Sequence, residues 1–177
     1  MPERHLTRAK IASALEALGR ELTNQGVRGQ IFVVGGAAMA LAYSTRRVTK
    51  DIDAVFEPKL VIYEAAVRVA GDLGLPDDWL NDAAKAFMPG PDTAARPLPE
   101  VSGIEITVAS PEFLLAMKLM AMRFGEDDED IEILLEQSGL RTAQEAIDLL
   151  RRIYPDREPP VKTRFYLEEL LGPAMPT

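Results

Sequence analysis

Gln30-Ile31-Phe32-Val33-Val34-Gly35-Gly36, and after it Arg47-Val48-Thr49-Lys50-Asp51-Ile52-Asp53, decide the reading of this chain. The first run is short, apolar and rich in β-branched residues, the pattern of a buried strand. The glycine pair breaks it, and Ala37 to Tyr43 favours helix. Lys50 to Phe56 then reads as a second strand. On a strand, residues i and i+2 face the same side, with a rise of about 3.3 Å per residue. Asp51 and Asp53 therefore project side by side, about 6–7 Å apart along the backbone.

Two like charges so placed repel one another unless a cation lies between them. Magnesium, or manganese in its place, suits the position, because it takes carboxylate oxygens together with substrate phosphates. The Gly35-Gly36 turn lies just upstream, where backbone N–H groups at a helix N-terminus hold phosphate. A phosphate cradle followed by a metal-binding Asp-x-Asp is the equipment of a nucleotidyl-transfer site.

The 177 residues suit one domain, or one domain with a helical extension. The chain is 47% hydrophobic, enough for an ordinary core. It has no cysteine, which excludes disulfides and thiolate metal sites. Met1-Pro2-Glu3-Arg4-His5 leads into an amphipathic pattern, so neither a signal peptide nor a membrane span is expected, and the expected compartment is the cytoplasm. The net charge of −8 argues against a general duplex-DNA binder. It leaves room for a nucleic-acid substrate, because Arg46, Arg47 and Lys50 cluster beside the proposed site. RNA binding would then be local and salt-sensitive.

Outward from the central stretch, Leu6 to about Thr23 carries Ile11, Leu15, Leu18 and Leu22 at helical spacing. Leu60 to Leu73 is a second amphipathic helix, ended by Gly74 and Pro76. Asp77 to Ala84 has the look of a short helix begun by an Asp cap. Pro89, Gly90, Pro91, Pro97 and Pro99 then make a long loop of the kind that is often functional. Trp79 and Phe87 flank it and read as packing residues. Ile104-Glu105-Ile106-Thr107-Val108 alternates as a third strand. Ser110 caps a helix that Pro111 opens and that runs to about Arg123. Helices over Glu126–Glu136, Thr142–Ile153 and Lys162–Leu171 follow. The expected fold class is α/β (α+β): a small mixed β-sheet with flanking helices. Residues 1–140 form the core with its N-terminal helix, and 141–177 a helical C-terminal extension packed on it.

Three further positions carry chemistry. Glu105 faces away from the apolar side of the third strand. If that strand pairs beside the second, Glu105 approaches Asp51 and Asp53, and three carboxylates bind two metal ions about 3.5–4 Å apart. Lys118 sits among Phe113, Leu114, Leu115, Leu119 and Met120, where an ammonium needs an anionic partner or a route to water. A nucleoside triphosphate would supply the first. The run Glu126-Asp127-Asp128-Glu129-Asp130 reads as a solvated acidic face at a helix N-terminus, with one member free to serve as a base.

Gly35-Gly36 followed by Arg47-x-Thr49-x-Asp51-x-Asp53 resembles the polymerase-β-like nucleotidyltransferase superfamily. The similarity is greatest to minimal bacterial nucleotidyltransferases, a branch that includes abortive-infection-type toxins. Pro111 to Ala121 with Lys118, then Arg123 and Asp127-x-x-Asp130, resembles that branch's second block. The resemblance spans residues 30 to 140. It implies Asp51 and Asp53 as magnesium ligands and Gly35 and Gly36 in the phosphate turn, with Arg47, Thr49 and Lys50 beside the nucleotide. It also implies Lys118 as a nucleotide contact and Asp127 as an acidic catalytic residue. The family's third metal carboxylate falls on the third strand, where this chain offers Glu105. The implied activity is transfer of a nucleoside monophosphate from a triphosphate to an acceptor hydroxyl. The acceptor would be a transfer-RNA 3′ end, a protein side chain or a small molecule, and a toxin role would bring a cognate antitoxin. The alternatives are a catalytically degenerate nucleotide- or partner-binding module, and a metal-free interaction protein that docks through its acidic C-terminal helices.

Overall fold

The computed structural model describes residues 5–173. The stretch Met1–Arg4, on which the signal-peptide expectation partly rests, lies outside them. The chain divides into two compact units. The first holds the residues up to Ala86 together with Thr93–Ala109, and the second holds Phe87–Asp92 together with the chain from Ser110 onward.

The first unit is a five-stranded mixed sheet with two long helices. Its elements are α1 (Arg8–Asn24), β1 (Gly29–Val33), α2 (Gly35–Ala38, continued by a π-helical turn over Met39–Tyr43), β2 (Ile52–Glu57), α3 (Lys59–Leu73), β3 (Leu80–Asn81), β4 (Arg96–Pro97) and β5 (Ile104–Val108). The strand order is β3-β2-β1-β5-β4. β1 is antiparallel to β2 and parallel to β5, so it lies between them. Alternation sorts the side chains. Ile31, Val33, Ile52, Ala54, Ile104 and Val108 are buried on one face. Leu22 of α1 and Ile62 of α3 press on that side so closely that a Cβ on Gly29 would lie 2.9 Å and 3.1 Å from them. Gln30, Phe32, Asp53, Val55, Glu57, Glu105 and Thr107 occupy the other, partly open face.

The long loop is more structured than its proline content suggests. Where a short helix is expected over Asp77–Ala84, Leu80 and Asn81 instead extend the sheet beside β2, pairing with Ile52 and Asp53. Trp79 anchors that edge. It is fully buried, and its indole N–H donates to the Ala66 carbonyl at 2.9 Å. Phe87 does not pack as expected, for it is 67% exposed.

The second unit is helical: α4 (Pro111–Ala121), α5 (Asp128–Ser138), α6 (Ala143–Ile153) and α7 (Val161–Leu171). Ser110 caps α4 as expected, accepting from the Phe113 N–H, and Asp92 fixes Ser110 through its N–H and its hydroxyl. Thr142 and Glu145 form a reciprocal capping box at the start of α6. No helix among the described residues is long and apolar enough to cross a membrane.

Candidate functional site

The end of β1 and the start of β2 bring the glycine turn and the paired aspartates together. The Val34 N–H donates to the Asp53 carbonyl at 2.9 Å, so the turn leaves β1 directly beside Asp53. Gly35 has φ +63°, and a Cβ there would lie 3.1 Å from Asp53 Oδ2. Backbone and space therefore both require glycine at this position. Gly36 is crowded differently: a Cβ would lie 2.8 Å from Thr49 Oγ1 and 3.7 Å from an Arg47 guanidinium nitrogen. The first N–H groups of α2 lack partners within the helix. They open beside Arg47, Thr49 and the aspartates.

The approach to Asp51 is fixed by backbone pairing. Leu6 and Thr49 exchange N–H···O bonds of 2.7 Å and 3.1 Å, and Thr49 Oγ1 donates to the Asp51 carbonyl at 3.1 Å. Asp51 and Asp53 are half-buried, and Lys50 is exposed. Asn81 Nδ2 donates to Asp51 Oδ2 at 3.0 Å, which holds one carboxylate oxygen and leaves the other for a ligand. Sequence reasoning missed Asn81, because a two-residue edge strand has no periodicity to betray it.

Glu105 lies elsewhere. β5 pairs with β1, not with β2, and Glu105 is level with Gln30, which is level with Glu57. That places it four residues, about 13 Å, along the sheet from Asp53 and two strands away. No ion held by Asp53 is within its reach. Of the outward residues of β5, Thr107 is nearer the aspartates, and it brings no carboxylate. Among the described residues no group of three or more acidic or histidine side chains is gathered to hold a metal. Two carboxylates still fit one magnesium ion, which keeps several waters and takes phosphate oxygens for the rest.

Lys118 and Asp127 meet each other in the second unit. Lys118 is 7% exposed and Asp127 1%. Lys118 Nζ lies 2.8 Å from Asp127 Oδ1 and 2.9 Å from Asp130 Oδ2. The anionic partner that this lysine needs is thus built into the protein. Arg123 adds two bonds of 3.1 Å to Asp127. Of the acidic run expected to be solvated, Asp127 and Asp130 point inward.

The glycine turn also yields an expected result. Gly35→Ala costs about 1–2 kcal/mol from the left-handed backbone alone. It also displaces the Asp53 carboxylate, so the melting temperature falls by several degrees. Thermal unfolding of the two chains checks this, and an unchanged midpoint would contradict the geometry of the turn.

The model of a family described as nucleotidyltransferase of unknown function (DUF6036) matches residues 10–160. No curated protein matches the chain.

Proposed function

The chain belongs to the DUF6036 family of nucleotidyltransferases, and from that premise we propose that it moves a nucleoside monophosphate from a triphosphate to an acceptor hydroxyl, with magnesium at Asp51 and Asp53. The supporting observation is the convergence of the Asp51–Asp53 pair, the Asn81 amide and the Gly35–Gly36 turn at one end of the sheet. When bound, the ion neutralises phosphate charge and orients the phosphates. The rest falls to the chain. The N–H groups of the turn, Arg47, Thr49 and Lys50 hold the phosphates. Asn81 and the Val34–Asp53 backbone bond fix the aspartates. The acceptor oxygen forms a bond to the α-phosphorus, the bond from that phosphorus to the bridging oxygen breaks, and pyrophosphate leaves. The hydroxyl proton passes to a carboxylate. Catalysis rests on positioning and charge neutralisation.

In this reading Lys118 and Asp127 secure α4 against α5, and nucleotide contact by Lys118 is the part that the resemblance adds. Transfer-RNA 3′ ends, protein side chains and small hydroxyl compounds are the acceptors it spans, and a cognate antitoxin belongs to it if the chain is a toxin. The position of Glu105 favours one second reading, a degenerate module that binds nucleotide without turnover. The two separate in one experiment. Each α-labelled triphosphate is incubated with magnesium, total RNA, protein and small hydroxyl compounds. Label transfer with pyrophosphate release is expected. A magnesium-dependent rise in melting temperature with nucleotide, without release, would establish the module instead.

A further inference from the structure

β3 has only two residues, Leu80 and Asn81, and a strand that short has few ladder bonds with which to fix itself. Its place beside β2 is set at its two ends, and both ends are tied to α3. Ahead of it, the Trp79 indole donates to the Ala66 carbonyl. Behind it, Asp82 meets Tyr63 and Lys59. The Tyr63 hydroxyl donates to Asp82 Oδ1 at 2.6 Å and accepts from the Asp82 N–H at 3.3 Å, and the Lys59 ammonium pairs with Asp82 Oδ2. Lys59, Tyr63 and Ala66 follow the four-and-three spacing of one helix face. The Tyr63 ring is fixed in turn, meeting Phe56 of β2 edge-on with the centroids 4.9 Å apart and the planes at 78°. The hydrogen bond from Lys59, and after it the one from Tyr63, hold the Asp82 carboxyl below its ordinary value. It is therefore ionised near neutrality, and the tyrosine proton points to it.

We propose that Tyr63 is a positioning residue for Asp51, acting through Asp82 and Asn81; the inference rests on the reading of Asp51 and Asp53 as the magnesium ligands. Asn81 stands between the α3 clamp and the aspartate. Its Oδ1 accepts from the Ala83 N–H at 3.1 Å, and its Nδ2 donates to Asp51 Oδ2 at 3.0 Å. Those two partners fix which end of the amide is which. Turned over, it would set oxygen against the carboxylate and N–H against N–H. The Ala83 N–H follows directly on Asp82, so the clamp that holds Asp82 also places the group that orients the amide. Asp51 depends on that amide more than Asp53 does. It lies in the bend before β2, where Thr49 holds its carbonyl and Asn81 its carboxylate. A hydrogen bond on one carboxylate oxygen orients the other, and the loss of such a partner costs a metal site about ten- to a hundredfold in affinity. The tyrosine touches no nucleotide or ion in this arrangement. Its hydroxyl acts at one remove, by keeping the exit of β3 against α3.

Manganese, whose free ion is counted by its paramagnetic resonance signal, tests this when titrated into the full chain of wild type, Tyr63→Phe, Asn81→Ala and the double variant. Phenylalanine keeps the ring against Phe56 and removes only the hydroxyl, so Tyr63→Phe folds, and its melting temperature verifies it. Tyr63→Phe weakens manganese about tenfold, the lower end of the range for residues that orient a ligand. Asn81→Ala weakens it at least as much. The double variant is no weaker than Asn81→Ala alone, because the hydroxyl then has nothing left to position. The magnesium concentration that gives half-maximal pyrophosphate release rises in the same order. A tyrosine that served stability alone would lower the melting temperature and leave the manganese affinity unchanged. Equal manganese affinity in wild type and Tyr63→Phe, or a double variant whose loss is the product of the two single losses, would overturn the inference while leaving the transfer reading intact. A wild type that takes up no manganese would overturn it as well, and the labelled triphosphates above would decide the transfer reading separately. If manganese affinity follows the expected order but no pyrophosphate is released, the transfer reading fails and the positioning role stands.

Discussion

On the transfer reading proposed above, Asp53→Ala is expected to slow magnesium-dependent transfer about a hundredfold to a thousandfold while leaving the fold intact. Asp53 is half-buried, its carbonyl accepts from Val34, and its backbone pairs with Asn81. An alanine keeps those backbone bonds. What it removes is one of the two carboxylates available to a cation, so the charge developing on the transferring phosphoryl loses a fixed counter-charge. Losing such a group costs roughly a hundredfold to a thousandfold in rate. Asn81→Ala is the graded companion. It frees Asp51 Oδ2 but deletes no carboxylate, and the loss of a group that orients a metal ligand costs about ten- to a hundredfold. Initial rates of pyrophosphate release, with circular dichroism as the folding control, give both numbers. Full activity in Asp53→Ala would move the chemistry away from this end of the sheet. A wild type that releases no pyrophosphate, yet loses nucleotide binding on the same substitution, would assign the site to a binding module.

The parts of this site that could be read in advance are those written in local pattern. Apolar run, glycine pair and Asp-x-Asp each lie within a few residues, and β1, the turn and most of β2 follow from them directly, although the strand spans Ile52–Glu57 instead of the expected Lys50–Phe56 and leaves Asp51 in the bend before it. Strand order is different, because it depends on which strands meet across seventy residues. The alternation of Ile104 to Val108 correctly makes Glu105 outward-facing. Nothing in it says that β5 lies against β1, and that single fact separates Glu105 from the aspartates. Asn81 was hidden because β3 is too short to show a period, and its place is set by Trp79 filling the edge of the core. The acidic run is an intermediate case. Its position at a helix N-terminus was legible, but which acids turn inward depends on helix phase against α4. Asp127, Asp130, Ile131 and Leu134 follow the three-and-four spacing of one helix face, and all four are buried. Read with that phase, the run already contains the partners that Lys118 needs.

Lys118→Met should be among the most destabilising single substitutions in the chain. Methionine matches the length of the lysine stem, so packing among Phe113, Leu115 and Leu119 is largely kept. The charge is what goes. Asp127 and Asp130 then lie buried with Arg123, itself largely exposed, as the neighbouring cation on Asp127. Removing one partner of a buried ion pair costs about 3–5 kcal/mol, because the other charge is stranded. Replacing the whole cluster with Lys118→Met/Asp127→Leu/Asp130→Leu recovers most of that loss, since no stranded charge remains. The dependence on pH carries a definite sign. Burial pushes the Asp127 carboxyl up, and the hydrogen bonds and charges of Lys118 and Arg123 together outweigh it, leaving the group below its ordinary 3.8. A carboxyl held low in the folded state is protonated more readily in the unfolded one. Its contribution is therefore complete above that ordinary value and is lost as pH falls through the folded one. In Lys118→Met burial prevails and the carboxyl moves up, so protonation relieves the variant first. Urea denaturation from about pH 7 to about pH 3 should show the gap between the two proteins widest near neutrality and closing in acid. A gap that stayed constant with pH would mean that the lysine stem, not its charge, does the stabilising. No gap at all would mean that Asp127 and Asp130 do not need this ammonium, and contact with a nucleotide would then be the stronger account of why a lysine stands among apolar residues.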